Sequence, residues 1–299
     1  MKETPVENHR LQSWIILIIL SLVWGSSFIL IKKGLESFSP DQVGTIRISF
    51  AFLFMLPFAL KSFKIIPKEK WKFVAFTGLI GNLIPALLFA VAQTKIESSL
   101  SGILNGLSPL FTLILAIVIF KYKLKFWQTL GLLIGFLGTL GLSFVNSSGG
   151  LGNMNIYILL IVLATMCYAI SLNFVKVYLD NISSVVITSL AMFTIGPVSL
   201  IYLFTTDFFE KLNSTPGAFE SLGYIAILGI VGTAIALILY TRFIQMTNAV
   251  IASSVTYLIP IVAILWGLLD GEKLYPLHFA GMFMILMGIY FVNKTKLSS

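Results

Sequence analysis

Residues 81–115 read GNLIPALLFAVAQTKIESSLSGILNGLSPLFTLIL, and residues 232–266 read GTAIALILYTRFIQMTNAVIASSVTYLIPIVAILW. Laid together without a gap at an offset of 151, they place Gly81 on Gly232, Ile84 on Ile235, Leu107 on Leu258 and Pro109 on Pro260. Phe89 falls on Tyr240. One residue is then lost, and at offset 150 Lys123-Leu124 meets Lys273-Leu274, Gly131 meets Gly281 and Gly138 meets Gly288. Upstream, at offset 144, Trp24 falls on Tyr168, Ser27 on Ser171 and Lys32 on Lys176. Apolar, glycine-rich sequence yields some such matches by chance. Glycines and a mid-helix proline in constant order are harder to obtain that way.

The repeat sits within ten apolar runs. They lie at about 14–31, 43–60, 71–92, 99–120, 126–145, 156–175, 185–204, 222–243, 249–269 and 277–292. Each is long enough to cross the hydrocarbon core as a helix, and a helix satisfies its own backbone there. The first run follows Lys2 and Arg10, as in a signal peptide. It lacks a small-residue cleavage pattern and continues through Trp24-Gly25-Ser26-Ser27, so it reads as an uncleaved span. The chain thus divides into two units of five helices, 12–145 and 155–293. Five is odd, so the second unit must cross the membrane in the opposite sense. Inverted repeats of this kind serve alternating access around a midplane site.

Composition agrees. The chain has 299 residues, 58% hydrophobic and 11% charged. A soluble domain carries about 25% charged residues. An ordinary soluble enzyme, a disordered chain and a nucleic-acid binder are excluded. The net charge of +8 is a matter of topology. With the N-terminus inside, the inner segments hold Lys2, Arg10, Lys61, Lys64, Lys68, Lys70, Lys72, Lys121, Lys123, Lys125, Lys176, Arg242, Lys294 and Lys296. The outer segments hold only Lys32, Lys33, Lys95, Lys211 and Lys273. By the positive-inside rule both termini are expected to be cytoplasmic; the membrane expected is a bacterial inner (plasma) membrane. The lone Cys167 excludes an internal disulfide and reads as a small packing residue.

These residues carry a resemblance. Trp24-Gly25-Ser26-Ser27-Phe28, Arg47, Gly81, Pro109, Pro260, Asp270-Gly271-Glu272-Lys273-Leu274, Gly281 and Gly288 resemble the EamA family of the drug/metabolite transporter superfamily. The resemblance covers about residues 12–293. It implies ten helices and a central cavity lined by helices 1, 3, 4, 6, 8 and 9. It also implies export of amino acids and other small metabolites. The family often places Glu after the fourth helix of each half. Glu272 keeps it, but the first copy has Tyr122.

The residues that could carry transport are the polar and aromatic ones inside the runs, because polar groups in lipid must face protein or water. Asn82, Pro85, Phe89 and Gln93 share one helical face, as do Ser101, Asn105, Ser108 and Thr112. Ser253, Thr256 and Pro260 correspond to the latter in the second copy. Trp24, Ser27, Tyr168, Ser171 and Tyr240 complete a candidate substrate site of amides, hydroxyls and rings, suited to a small polar or zwitterionic solute with an apolar portion. The competing reading is that these hydroxyls and amides bond between packed helices. Pro109 and Pro260 each free a carbonyl one turn earlier and are candidate gating kinks.

Arg47 would cost about 2.5–3.5 kcal/mol at the centre of a span. One turn in, it is expected to snorkel outward or pair with Asp41. The other readings for it are an outer gate and attraction of a substrate carboxylate. Lys32 and Lys176 are also expected to snorkel, and Asp270 and Glu272 to form a solvated turn. No Asp or Glu lies mid-run. The transport site is therefore expected to be uncharged, unlike the small multidrug-resistance branch, whose first-helix carboxylate exchanges protons for lipophilic cations.

His9 and His278 lack triad partners, and no metal, phosphate or redox motif is present. No enzyme, cofactor, metal or nucleic-acid partner is expected. The partners are a small-molecule substrate and the bilayer, in a monomer or homodimer. The alternatives to export are uptake or exchange of a nucleoside-like or other metabolite, and a non-transporting scaffold or receptor.

Overall fold

The computed structural model describes residues 5–120, 126–145, 149–179, 181–246 and 255–294. Over these residues the chain is helical, apart from an isolated bridge between Val145 and Leu151. The helices are α1 (Pro5–Leu35), α2 (Pro40–Ser62), α3 (71–92), α4 (98–120), α5 (Phe126–Ser143), α6 (Ile158–Tyr178), α7 (Ser184–Phe204), α8 (218–246), α9 (Val255–Leu269) and α10 (Pro276–Lys294). A short helix, Phe208–Ser214, precedes α8. Among the described residues, eight helices are long and apolar enough to cross a membrane. The apolar parts of the last two are shorter, Leu258–Leu269 and Pro276–Phe291. The expected ninth run begins at 249, and residues 249–254 lie outside the described residues, as do Lys121, Lys123 and Lys125.

The molecule shows large apolar side chains to its surroundings: Leu269 is 79% exposed and Phe283 63%. That is the surface a lipid solvent requires. The interior is apolar too, and its main cluster joins Phe28 of α1, Phe89 of α3, Leu104 and Leu110 of α4, Ile161 of α6, and Ile259 and Ile285 of α9 and α10. With apolar surroundings on both sides, close backbone packing at small residues brings the helices together.

Those contacts cross between the two sequence copies in matched pairs. The ring of Trp24 in α1 meets that of Tyr240 in α8 edge-on, centroids 4.9 Å apart. Tyr168 in α6 stacks on Phe89 in α3 at 6.1 Å. Gly232 in α8 faces Ser27 in α1, and Gly81 in α3 faces Ser171 in α6. In α5 and α10, a Cβ on Gly138 would lie 2.9 Å from the Gly281 carbonyl, and one on Gly288 would lie 2.6 Å from the Gly131 carbonyl. Each pair exchanges its members under the sequence offsets of 144, 150 and 151.

Local backbone breaks also recur. A π-turn spans Leu79–Leu83 in α3, and another spans Ile230–Ile235 in α8. Their starts are 151 residues apart. The fourth helix is interrupted at Gly106-Leu107, between the segments Ser98–Asn105 and Ser108–Phe120. Pro109 explains this break, since it cannot donate to the Asn105 carbonyl. The Ser108 hydroxyl takes that carbonyl instead, at 2.9 Å. Pro260, by contrast, lies within the continuous helix α9.

Candidate functional site

A π-turn inserts one residue, so a carbonyl loses its usual i+4 partner. In α3 the Asn82 amide donates to the Thr77 carbonyl at 3.3 Å, and in α8 the Thr233 hydroxyl donates to the Leu228 carbonyl at 3.1 Å. Asn82 and Thr233 are 151 residues apart, and so are Thr77 and Leu228. Both copies therefore fill the same backbone gap with the polar residue that follows the glycine. The Trp24 indole N–H donates to the carbonyl of Gly232 at 3.1 Å, inside the second π-turn. The aromatic pairs and the π-turns thus form one centre between α1, α3, α6 and α8. Phe28 joins it from α1, 5.6 Å from Phe89.

Arg47 enters this centre from α2. Its Nε donates to the Thr233 hydroxyl at 2.8 Å. Thr233 is a mid-helix residue of α8. Arg47 therefore turns inward to mid-depth, rather than snorkelling. Asp41, its expected partner, accepts from the Tyr202 hydroxyl at 2.9 Å. The reason is geometric: Gly229 lets the α2 backbone close on α8, where a Cβ would lie 2.5 Å from the Arg47 carbonyl. The site expected to be uncharged contains a cation.

Other predicted residues spend their hydroxyls on their own helices. Ser27 donates to Val23, Ser101 to Glu97 and Thr112 to Ser108, besides the Ser108 bond described above. Asn105 is partly exposed at the break in α4. Gln93, one turn beyond Phe89, is 8% exposed and leaves both amide atoms without a hydrogen-bond partner among the described residues. The Thr256 side chain and Ser253 lie outside the described residues.

A second cluster sits where α1 ends. The Lys32 ammonium meets Glu272 at 2.8 Å, Asp270 at 2.9 Å and Glu97 at 3.3 Å. Lys33 meets Asp270 and Glu36, each at 2.8 Å. The Glu272 side chain is fully buried. It accepts from the Ser98 N–H at 2.9 Å, the Ser99 N–H at 3.0 Å and both serine hydroxyls. The expectation of a solvated Asp270/Glu272 turn and a snorkelling Lys32 is therefore corrected. The cause is local. Gly271, at φ 80°, ends α9 with its N–H on the Leu268 carbonyl and the Glu272 N–H on the Gly267 carbonyl. This left-handed C-terminal turn swings Glu272 inward. There it meets the positive end of α4, whose first N–H groups need acceptors.

Burial works against the Glu272 carboxylate, but the Lys32 ammonium and the Ser99 and Ser98 donors outweigh it and hold the carboxyl at about 2. Asp270 is lowered too: burial opposes this, and Lys32 and Lys33 overcome it. The signals for this cluster were Gly267, where a Cβ would meet Glu272 Oε2 at 2.5 Å, and the adjacent serines at 98 and 99. Among the described residues no group of three or more His, Cys, Asp or Glu is placed to hold a metal.

The EamA-like transporter family model matches twice, over residues 12–144 and 155–294. The chain belongs to this family. Among curated EamA relatives, an uncharacterized transporter of Archaeoglobus fulgidus is 28% identical over 96% of this chain and 100% of its own length. The uncharacterized inner membrane transporter YedA of Escherichia coli is 27% identical over 94% of this chain and 90% of its own. A crystal structure superposes with a TM-score of 0.64 at 16% identity, covering 96% of this chain and 99% of that one; it shows a shared fold. EamA membership and the apolar helices make this a membrane-embedded member of a transporter family.

Proposed function

We propose that this chain is a secondary transporter of a bacterial inner membrane that exports an amino acid or a related small metabolite by alternating access. In this reading α9 and α10 complete ten spans, arranged as two inverted halves, 12–145 and 155–293. The observation that carries it is the pair of π-turns 151 residues apart, each filled by a side chain and flanked by an aromatic pair drawn from both copies. Such backbone irregularity at membrane depth is tolerated where it lines a cavity or is buried in protein, and π-turns are frequent at functional sites. A site between two related halves lets each half rock over a shared substrate. The non-enzymatic reading rests on the family and on the missing triad.

Amino-acid counterflow in proteoliposomes tests this. Trp24→Ala and Asn105→Ala are expected to bring flux to background, with each variant matched for folded protein by gel filtration. Unchanged flux in both would sink the assignment of the site. Orientation has its own check. In a Cys167→Ala background, single cysteines placed in 64–70 are expected to react with an impermeant thiol reagent only after cell lysis. Labelling of intact cells would reverse the assignment of both termini to the cytoplasm. The name of the Escherichia coli relative supports the inner membrane.

A further inference from the structure

We propose that Arg47 is the substrate's carboxylate anchor, so that this transporter selects small organic acids and zwitterions and rejects cations. The inference rests on the transport reading above and assigns the chemistry of its site. Arg47 is a cation turned inward whose hydrogen-bond partner, Thr233, is neutral. Among the described residues, no carboxylate lies within ion-pairing distance of it. The acids on neighbouring elements are engaged elsewhere. Asp41 holds Tyr202, Asp207 holds Gln42 and Lys211, and the Lys32 cluster takes Asp270 and Glu272.

An interior charge without a counter-charge is costly, and membrane proteins keep such groups facing a substrate or ion path. A guanidinium carries five N–H donors in a fixed fork. Thr233 takes the Nε donor, and the remaining donors suit a bidentate carboxylate. The rings of Trp24 and Tyr240, held to the same π-turn as Thr233 by the Trp24 bond to Gly232, offer apolar contact for the rest of the solute. Thr233 couples the two functions: it fills the π-turn gap at Leu228 and holds Arg47 Nε.

The test is equilibrium binding to the purified full-length chain, read by thermal shift. The probes are the proteinogenic amino acids, the same acids as C-terminal amides, and simple carboxylates without an amine. Loss of a charge-assisted bidentate contact is expected to weaken each amide about tenfold or more relative to its acid. Arg47→Gln is expected to bring the acid down to the level of the amide, and Arg47→Lys to fall between. In the ligand-free state Arg47→Gln is expected to melt no lower than the unaltered chain, because it removes an uncompensated charge. Equal binding of acid and amide overturns the inference, as does an Arg47→Gln protein that still prefers the acid. Failure of every carboxylate to bind overturns it too. The transport reading is judged separately, because binding of a neutral solute that is also moved in proteoliposomes would leave that reading intact.

Discussion

Replacing Glu272 with glutamine or alanine is expected to lower the unfolding free energy by about 3–5 kcal/mol, the usual cost of removing one partner from a buried ion pair. The carboxylate is fully buried and serves five donors at once: the Lys32 ammonium, two backbone N–H groups and two hydroxyls. Glutamine keeps one acceptor oxygen and loses the charge; alanine leaves the α4 N–H groups without an acceptor. The pH dependence follows from the same contacts. The folded carboxyl sits at about 2, below its ordinary 4.5. The unfolded chain therefore binds the proton more readily than the folded one. The contribution is complete above about pH 4.5 and is lost as pH falls through about 2. Melting temperatures of the unaltered chain should fall over that window, and those of Glu272→Gln should fall less. Equal melting of both proteins at pH 7 would show that the cluster holds nothing together.

The cluster also breaks the symmetry of the two copies. Under the sequence offsets, Lys32 corresponds to Lys176, Glu272 to Tyr122, and Ser98-Ser99 to Ala249-Val250. Lys176 is exposed. The end of α1 therefore carries an ionic tie among α1, α4 and the α9–α10 turn, while the sequence has no carboxylate at the equivalent positions of the other copy, Phe120, Tyr122 and Asn248. In an alternating-access cycle, this tie would have to open each time the molecule opens at the end of α1. Under the proposed alternating access, Glu272→Gln would shift the conformational balance as well as lower stability.

Much of the fold could be read from the sequence because lipid simplifies the code. Run length gives the helices, and an offset that keeps Gly81, Pro109, Gly131 and Gly138 in order gives the relation between the copies. The site was legible in composition and less so in roles. Trp24, Tyr168, Phe89 and Tyr240, named together from the sequence, meet in two pairs that cross between the copies, an arrangement the offsets alone do not state. The serines were harder. A hydroxyl in a helix can bond its own i−3 or i−4 carbonyl or a ligand, and sequence does not distinguish the two. Ser27 and Ser108 took the first course. The π-turns left only a faint trace, a glycine followed by a hydrogen-bonding residue at 81–82 and again at 232–233. For Arg47, distance from the helix end does not give depth, so the snorkelling reading fails while the carboxylate reading stays open. Its partner Thr233 lies in the other copy, where Gly229 lets α2 and α8 close together.

The helix pair α5–α10 gives the second large effect, and it isolates backbone packing from polar chemistry. Valine at Gly288 is expected to destabilise the protein by more than the roughly 1–3 kcal/mol typical of an overpacked core. A Cβ there would lie 2.6 Å from the Gly131 carbonyl oxygen and 2.8 Å from both Cα and N of Gly135. All three are main-chain atoms, so no rotamer change relieves the clash and the helices must part. Gly135 itself tolerates no Cβ without moving Leu110, and Gly138 faces the Gly281 carbonyl, so the contact extends over two turns on both helices. Small residues at such a crossing let helices associate where lipid gives no hydrophobic drive. Gly141 is the matched control: it lies in the same helix with nothing within 4 Å of its ideal Cβ. Gly141→Ala is expected to be neutral or to stabilise by about 0.5–1 kcal/mol through lower backbone entropy. Thermal melting of both variants in one detergent decides the matter. Equal melting of Gly288→Val and Gly141→Ala would mean that α5 and α10 do not meet through their backbones.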